Sequence, residues 1–240
     1  DQLDMWQFDG WSKDGKGGIY FYNDWRSKTS WGETRPDYGR GEVRQFIRNN
    51  ALYWLNEYHM DGLRFDSVVN IRNANGQGQD YGADIPEGWS LLQWINNEGS
   101  NKFRIAEDLQ GNDWITKPTY QGGAGFNSQW DSAFVHTLRN AAIATWDSDR
   151  RMDEIRDTIY HLHNGDAFQR VIYTESHDEV AEGNHGRRLT DAIKPGDAEG
   201  YYAQKRSTIM AAILFTTPGI PMIFQGQEVL DYQAFHDQRP

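Results

Sequence analysis

The sequence predicts an α/β protein built as part of a (β/α) barrel, on three observations. Short apolar runs alternate with stretches of helical periodicity, the order that produces a parallel sheet with helices packed on it. The runs end in polar or charged residues, at Arg64 and Asp66, at Glu107, and at His177 and Asp178, and a barrel draws its functional groups from the ends of several strands. No Gly-rich phosphate loop follows the first run, which sets the pattern apart from an open doubly wound sheet.

Residues 1–40 are dense in Gly, Asp and aromatics and lack a sustained period. They include Gly17-Gly-Ile-Tyr-Phe-Tyr22 and Trp31-Gly32 and read as a long loop carrying one short strand, and a loop of that length is usually functional or a sign that neighbouring elements are missing. From Gly41 to Tyr58 the residues Val43, Phe46, Ile47, Ala51, Trp54, Leu55 and Tyr58 recur at helical spacing, with Glu42 in the first turn where the helix dipole favours an acid. The turn at His59-Met60 leads into a strand at Asp61-Gly-Leu-Arg-Phe-Asp-Ser-Val68. Alternation along that strand places Arg64 and Asp66 on one face and turns Leu63 and Phe65 into apolar packing.

A polar, Gly-rich stretch follows from Asn73 to Asp84, then a helix over 86–99 and a strand over Phe103-Arg-Ile-Ala-Glu107. Pro and Gly make 113–125 a loop, and Phe126-Asn-Ser-Gln-Trp130 a short strand. Helices are expected over 132–145 and 152–163, a strand at Arg170-Val-Ile-Tyr-Thr174, and a charged strand end at Glu175-Ser-His-Asp-Glu-Val180. A polar loop over 183–198 precedes a helix from Tyr201 to Phe215, which Pro218-Gly219 stops before a last strand at Ile220-Pro-Met-Ile-Phe224.

Composition narrows the function classes. With 240 residues and 38% hydrophobic content the chain can bury a core. Its 10 Trp, 12 Tyr and 11 Phe exceed what a core needs, and spare rings stack on flat faces such as those of sugars or bases. A net charge of −11 argues against nucleic acid as the partner, because phosphate binding needs a basic surface, and a neutral, hydroxyl-rich ligand fits better. No stretch has the roughly 20 apolar residues that cross a bilayer, so no membrane partner is expected. The absence of cysteine removes disulfides, zinc–thiolate sites and thiol nucleophiles and leans toward a cytoplasmic location. The first residues, Asp1-Gln-Leu-Asp-Met-Trp6, lack the basic and apolar regions of a signal peptide. No cofactor or metal is called for: His59, His161, His163, His185 and His236 form no ligand pattern.

An isolated Arg-x-Asp reads as a surface ion pair of small worth. The company of Arg64 and Asp66 changes that reading, because Glu107, His177 and Asp178 occupy the same kind of strand end. Paired carboxylates flanking a neutral ligand among aromatic rings are the equipment of glycoside chemistry. Of the tryptophans, Trp54, Trp89 and Trp94 fall at helical core spacing, whereas Trp31, Trp114 and Trp130 are candidates for stacking on sugar.

These residues resemble glycoside hydrolase family 13, the α-amylase family. Asp61-Gly-Leu-Arg-Phe-Asp66 is similar to its second signature region, Ile105-Ala-Glu107 to its third, Ser176-His-Asp178 to its fourth, and Pro218-Gly-Ile-Pro-Met-Ile-Phe-Gln-Gly-Gln-Glu228 to the segment at its eighth strand. The order agrees as well. The resemblance implies a retaining mechanism in which Asp66 is the nucleophile of a covalent glycosyl intermediate, Glu107 the general acid/base held at a raised pKa, and Arg64 the support of Asp66. It also implies that His177 and Asp178 bind sugar hydroxyls. His177-Asp-Glu-Val180 and the block from Trp31-Gly32 through Asp37-Tyr-Gly39 to Glu42-Val-Arg44 look most like 1,4-α-glucan branching enzymes, which implies transfer of the glucosyl unit to a 6-hydroxyl of an α-glucan such as glycogen or starch.

Ala181-Glu-Gly183 departs from the usual branching-enzyme continuation, which keeps an α-amylase-type or trehalose-releasing hydrolase open. A non-catalytic carbohydrate-binding domain or inactive fragment is the alternative of a different class, and the intact trio Asp66, Glu107 and Asp178 argues against it. The family's first signature, Asp-x-x-x-Asn-His, is missing from the chain. The resemblance therefore implies one incomplete catalytic barrel domain over 1–240, from the loop after strand three to strand eight, with 1–40 as the long loop preceding helix three. An isolated fragment of that kind would expose sheet edges and is expected to be poorly soluble and inactive.

Overall fold

The computed structural model describes residues 18–76 and 81–236, so the start of the 1–40 loop and the centre of the 73–84 stretch lie outside the described residues. The chain divides into two compact units, one up to Gln129 and one from Trp130.

In the first unit, residues 18–40 are irregular, with a 3-10 turn at Trp25–Ser27 and an isolated antiparallel bridge between Phe21 and Pro36 in place of the expected strand. Helix α1 (Gly41–Asn56) follows, with Glu42 in its first turn. Its apolar stripe is wider than its packed face: Val43, Ala51 and Leu55 are buried, while Phe46 and Trp54, expected in the core, are exposed. Strand β1 (Gly62–Phe65) leads through Ser67 into a short helix α2 (Val68–Arg72) that sequence periodicity did not announce. Five residues hold barely more than one helical turn, too few for a 3.6-residue repeat to register.

Helix α3 (Pro86–Glu98) opens on Pro at its first position and Glu87 in its first turn, both favourable there. It lies so close to α2 that a Cβ at Gly88 would collide with the Ile71 carbonyl. Strand β2 (Phe103–Ala106) pairs in parallel with β1, setting Gly62 opposite Phe103 and Phe65 opposite Ala106, and β3 (Ser128–Trp130) pairs in parallel with β2. Leu63 and Phe65 pack into the cores as alternation requires, Phe65 meeting Phe126 edge-to-face at 5.1 Å. Buried Arg35 binds α2 from below, its guanidinium donating to the carbonyls of Asn70, Asn73 and Ala74, where the negative end of the helix favours a cation.

Near the start of the second unit Asp131 accepts the Phe134 N–H on its carboxylate at 3.0 Å and caps α4 (Ser132–Ile143). Helix α5 (Met152–Tyr160) and strand β4 (Arg170–Ile172) follow. Beyond β4 come two short helices, α6 (His177–Val180) and α7 (Leu189–Ile193), the latter inside the expected polar loop. Helix α8 (Tyr201–Thr216) precedes β5 (Ile220–Pro221), which pairs in parallel with β4. Phe134, Leu138, Ile172, Leu189 and Leu214 form the core here, each burial stabilising by roughly 1.5–3 kcal/mol. Among the described residues no helix is long and apolar enough to cross a membrane.

Candidate active site

The register of β1 and β2 builds the site. With Phe65 opposite Ala106, the next residues, Asp66 and Glu107, stand side by side at the carboxyl ends of two adjacent parallel strands. Ladder bonding continues one step further, Glu107 N–H donating to the Phe65 carbonyl at 2.9 Å. Ser67 then takes a left-handed conformation, φ 45° and ψ 49°, at a cost of about 1–2 kcal/mol for a residue with a Cβ. The turn sends Val68 N–H back to the Glu107 carbonyl at 2.9 Å and aims Ser67 N–H at Glu107 Oε2 at 2.7 Å.

Arg64 spans both acids. Its Nη1 lies 2.5 Å from Asp66 Oδ1 and its Nη2 lies 2.7 Å from Glu107 Oε2. The sequence places Arg64 with Asp66 correctly but does not pair it with Glu107. The acids differ in surroundings: the Asp66 side chain is 69% exposed and that of Glu107 only 11%. Burial pushes the Glu107 pKa up to about 7; the Ser67 N–H and Arg64 oppose the rise, and neighbouring Asp66 adds to it. An acid poised near neutrality can hold and release a proton in that range, beside an accessible carboxylate that can attack.

Asp108 continues the constellation. Its carboxylate takes a two-point contact from Arg72, Nε to Oδ2 at 2.6 Å and Nη2 to Oδ1 at 3.0 Å, with both side chains buried. Sequence reading gave neither residue a role. The available signal was alternation, which turns the residue after Glu107 inward, where an acid needs a cation.

In the first unit Trp31, 54% exposed, lines a hollow of about 300 Å³ together with Tyr20, Pro36, Asp66, Ser67 and Asn70. Exposed Trp114 and half-buried Trp89 line another of about 350 Å³ with Asp84 and Asn112, and Lys117 Nζ sits 3.9 Å over the Trp114 ring. Trp130, the third stacking candidate, is 7% exposed and packed against Tyr173 at 5.1 Å, so it belongs to the core of the second unit.

In that second unit His177 Nε2 lies 3.4 Å from Asp178 Oδ2, both side chains being about half exposed. Asp178 borders a hollow with Arg139, His185 and Arg187. The nearby acids are engaged: Glu175 is buried against Arg188 and the Leu189 N–H, and Glu179 faces Arg139 at 3.7 Å. The structure thus gathers Arg64, Asp66 and Glu107 in one unit and pairs His177 with Asp178 in the other. Asp131, His161 and His163 offer potential metal-ligand atoms within 4.8 Å of one another, a grouping that sequence spacing conceals. The Asp131 carboxylate is already committed to the Phe134 N–H and to Arg170 at 3.1 Å.

The sequence profile of the α-amylase catalytic domain matches residues 5–237. A 1,4-alpha-glucan branching enzyme of Bacillus cereus is 30% identical over 229 residues, 91% of this chain and 33% of its own length. That of Oceanobacillus iheyensis is 30% identical over 252 residues, 99% of this chain and 37% of its own. The chain thus spans about a third of the length of these curated relatives. Among solved structures, an alpha-amylase from Geobacillus thermoleovorans complexed with acarbose superposes with a TM-score of 0.61 at 16% identity, over 94% of this chain and 47% of that one. The type III pullulan hydrolase from Thermococcus kodakarensis gives 0.58 at 22%, over 92% and 38%. At such identity these likenesses establish the fold, a partial (β/α)8 barrel, which is the class the sequence predicts.

Proposed function

Because the chain belongs to the α-amylase catalytic-domain family, we propose that it carries the reacting residues of a retaining α-glucan transferase that makes α-1,6 branches. One observation supports this above the others: a single guanidinium holds an exposed carboxylate and a buried one whose pKa is raised to about 7. Acids bridged in this way match the separation of about 5 Å found in retaining enzymes better than the roughly 6.5–9.5 Å that inversion needs for its water.

In the first step an Asp66 oxygen attacks the anomeric carbon as the glycosidic C–O bond breaks, and the Glu107 proton passes to the departing oxygen. In the second step ionised Glu107 takes the proton of an acceptor hydroxyl, whose oxygen attacks the anomeric carbon and expels Asp66. Two inversions give net retention. Arg64 orients both acids. His177 and Asp178 bind sugar hydroxyls, a role that rests on the family resemblance. Trp31, beside Asp66, is the stacking platform, and Trp31→Ala in the full-length protein is expected to raise KM about tenfold with kcat nearly unchanged, from loss of roughly 1–1.5 kcal/mol of ring contact. Equal losses in kcat and kcat/KM would remove Trp31 from ground-state binding.

The 30% identity to branching enzymes favours transfer to a 6-hydroxyl. Ala181-Glu-Gly183 favours the second reading, hydrolysis. Incubation of the full-length protein with amylose decides between them. Branching produces new α-1,6 linkages at nearly constant reducing ends, and reducing ends without branches would defeat the assignment.

A further inference from the structure

We infer that the buried Arg72–Asp108 pair is a positioning device that fixes the spacing of the Asp66 and Glu107 carboxylates, an inference that rests on the roles proposed above. Topology carries it. Asp108 follows Glu107 directly, and Arg72 closes the short helix that begins two residues after Asp66. The chain therefore forms a ring through β1, Ser67, α2, Arg72, Asp108, Glu107 and β2, and the ion pair is its closing link.

The other links of that ring are weaker restraints on geometry. Val68 N–H to the Glu107 carbonyl and Ser67 N–H to Glu107 Oε2 are single hydrogen bonds of 2.9 and 2.7 Å. Arg64 bridges Asp66 and Glu107, but its own side chain is 28% exposed and the Asp66 side chain that it reaches is mostly exposed. Arg72 and Asp108 are both buried and joined at two points, and a planar fork on a carboxylate fixes angle as well as distance. Ser67, held in its left-handed turn between the two acids, relaxes toward ordinary backbone once that link is cut. Asp66 and Glu107 then separate, and solvent enters beside Glu107.

Neither Arg72 nor Asp108 lies among the reacting atoms, so the test must separate positioning from folding. Removing one partner leaves a buried charge and endangers the fold, whereas replacing both with apolar residues of similar volume does not. In the full-length protein, Arg72→Met/Asp108→Leu is expected to keep native melting and KM within about twofold while kcat falls at least about tenfold, since misplacement of about 1 Å costs on the order of 100-fold. The limb of the pH profile that reports loss of the Glu107 proton moves to lower pH, because burial is the main cause of its raised pKa; Arg64 and Asp66 are the charged groups that face it from β1.

Arg72→Lys keeps the charge and loses the fork, and it gives an intermediate kcat with native melting. Wild-type kcat and pH profile in either folded variant overturn the inference, and Arg72→Lys alone decides if the double variant does not fold. Asp66→Asn is measured alongside. Undiminished turnover in that variant indicts the proposed roles, whereas its inactivity beside wild-type Arg72 and Asp108 variants indicts only the positioning pair.

Discussion

Asp66→Asn in the full-length protein is expected to lower glucan turnover by at least about 10³-fold, because a neutral amide is too weak a nucleophile to form the covalent glycosyl intermediate. The fold should survive. The Asp66 side chain is 69% exposed, and substitutions at such positions change stability by about 0.5 kcal/mol or less. Its contact with Arg64 adds little to that, since exposed ion pairs contribute about 0–1 kcal/mol. Asn keeps an acceptor for Arg64, so the guanidinium retains a partner. Turnover above about 1% of wild type in a protein of unchanged melting temperature would remove Asp66 from the nucleophile role.

Glu107→Gln is expected to cost about 10²–10⁴-fold in kcat, the range supplied by a positioned acid/base. The loss should be far smaller in the first step when the leaving group departs without a proton, as from an aryl glycoside of low leaving-group pKa. An equal loss with both substrates would argue that Glu107 holds structure instead of a proton. In the wild type, kcat/KM should fall as pH rises through about 7, where Glu107 loses that proton. Stability carries the same sign. A carboxyl whose folded pKa is raised contributes stability that is fully present below its unfolded value and is lost as pH rises through its folded one. Gln cannot ionise, so the variant should melt progressively higher than wild type from about pH 5 to pH 8. A wild type whose stability rises across that window would contradict the environment assigned to Glu107.

The elements that sequence reading located are those whose signal is local and repeated. The helix from Gly41, the helix with Pro86 at its first position and the strand ending at Asp66 all emerge near their expected bounds, because periodicity records which face of an element is apolar. The three short helices Val68–Arg72, His177–Val180 and Leu189–Ile193 escaped for the converse reason, being too brief to display a repeat. Exposure was also misjudged where composition stood in for packing. Trp54 has core spacing yet faces outward, and Trp130 resembles a loose strand-end ring yet is buried against Tyr173.

The site divides along the same line. The residues alone point to the α/β class, to Arg64, Asp66 and Glu107 at the ends of the first two strands, and to the family those motifs resemble, whereas His177 and Asp178, expected at a strand end, stand on the short helix α6. Tertiary structure alone decided that Arg64 also grips Glu107, that Ser67 turns left-handed to bond an acid 40 positions away, and that Asp108 is buried against Arg72 at a separation of 36. Periodicity extends over a few residues, whereas these contacts depend on strand register and on which side chains lose water when β1, α2 and β2 pack. The raised pKa of Glu107 belongs with them, because burial is its main cause and burial is a property of the packed chain.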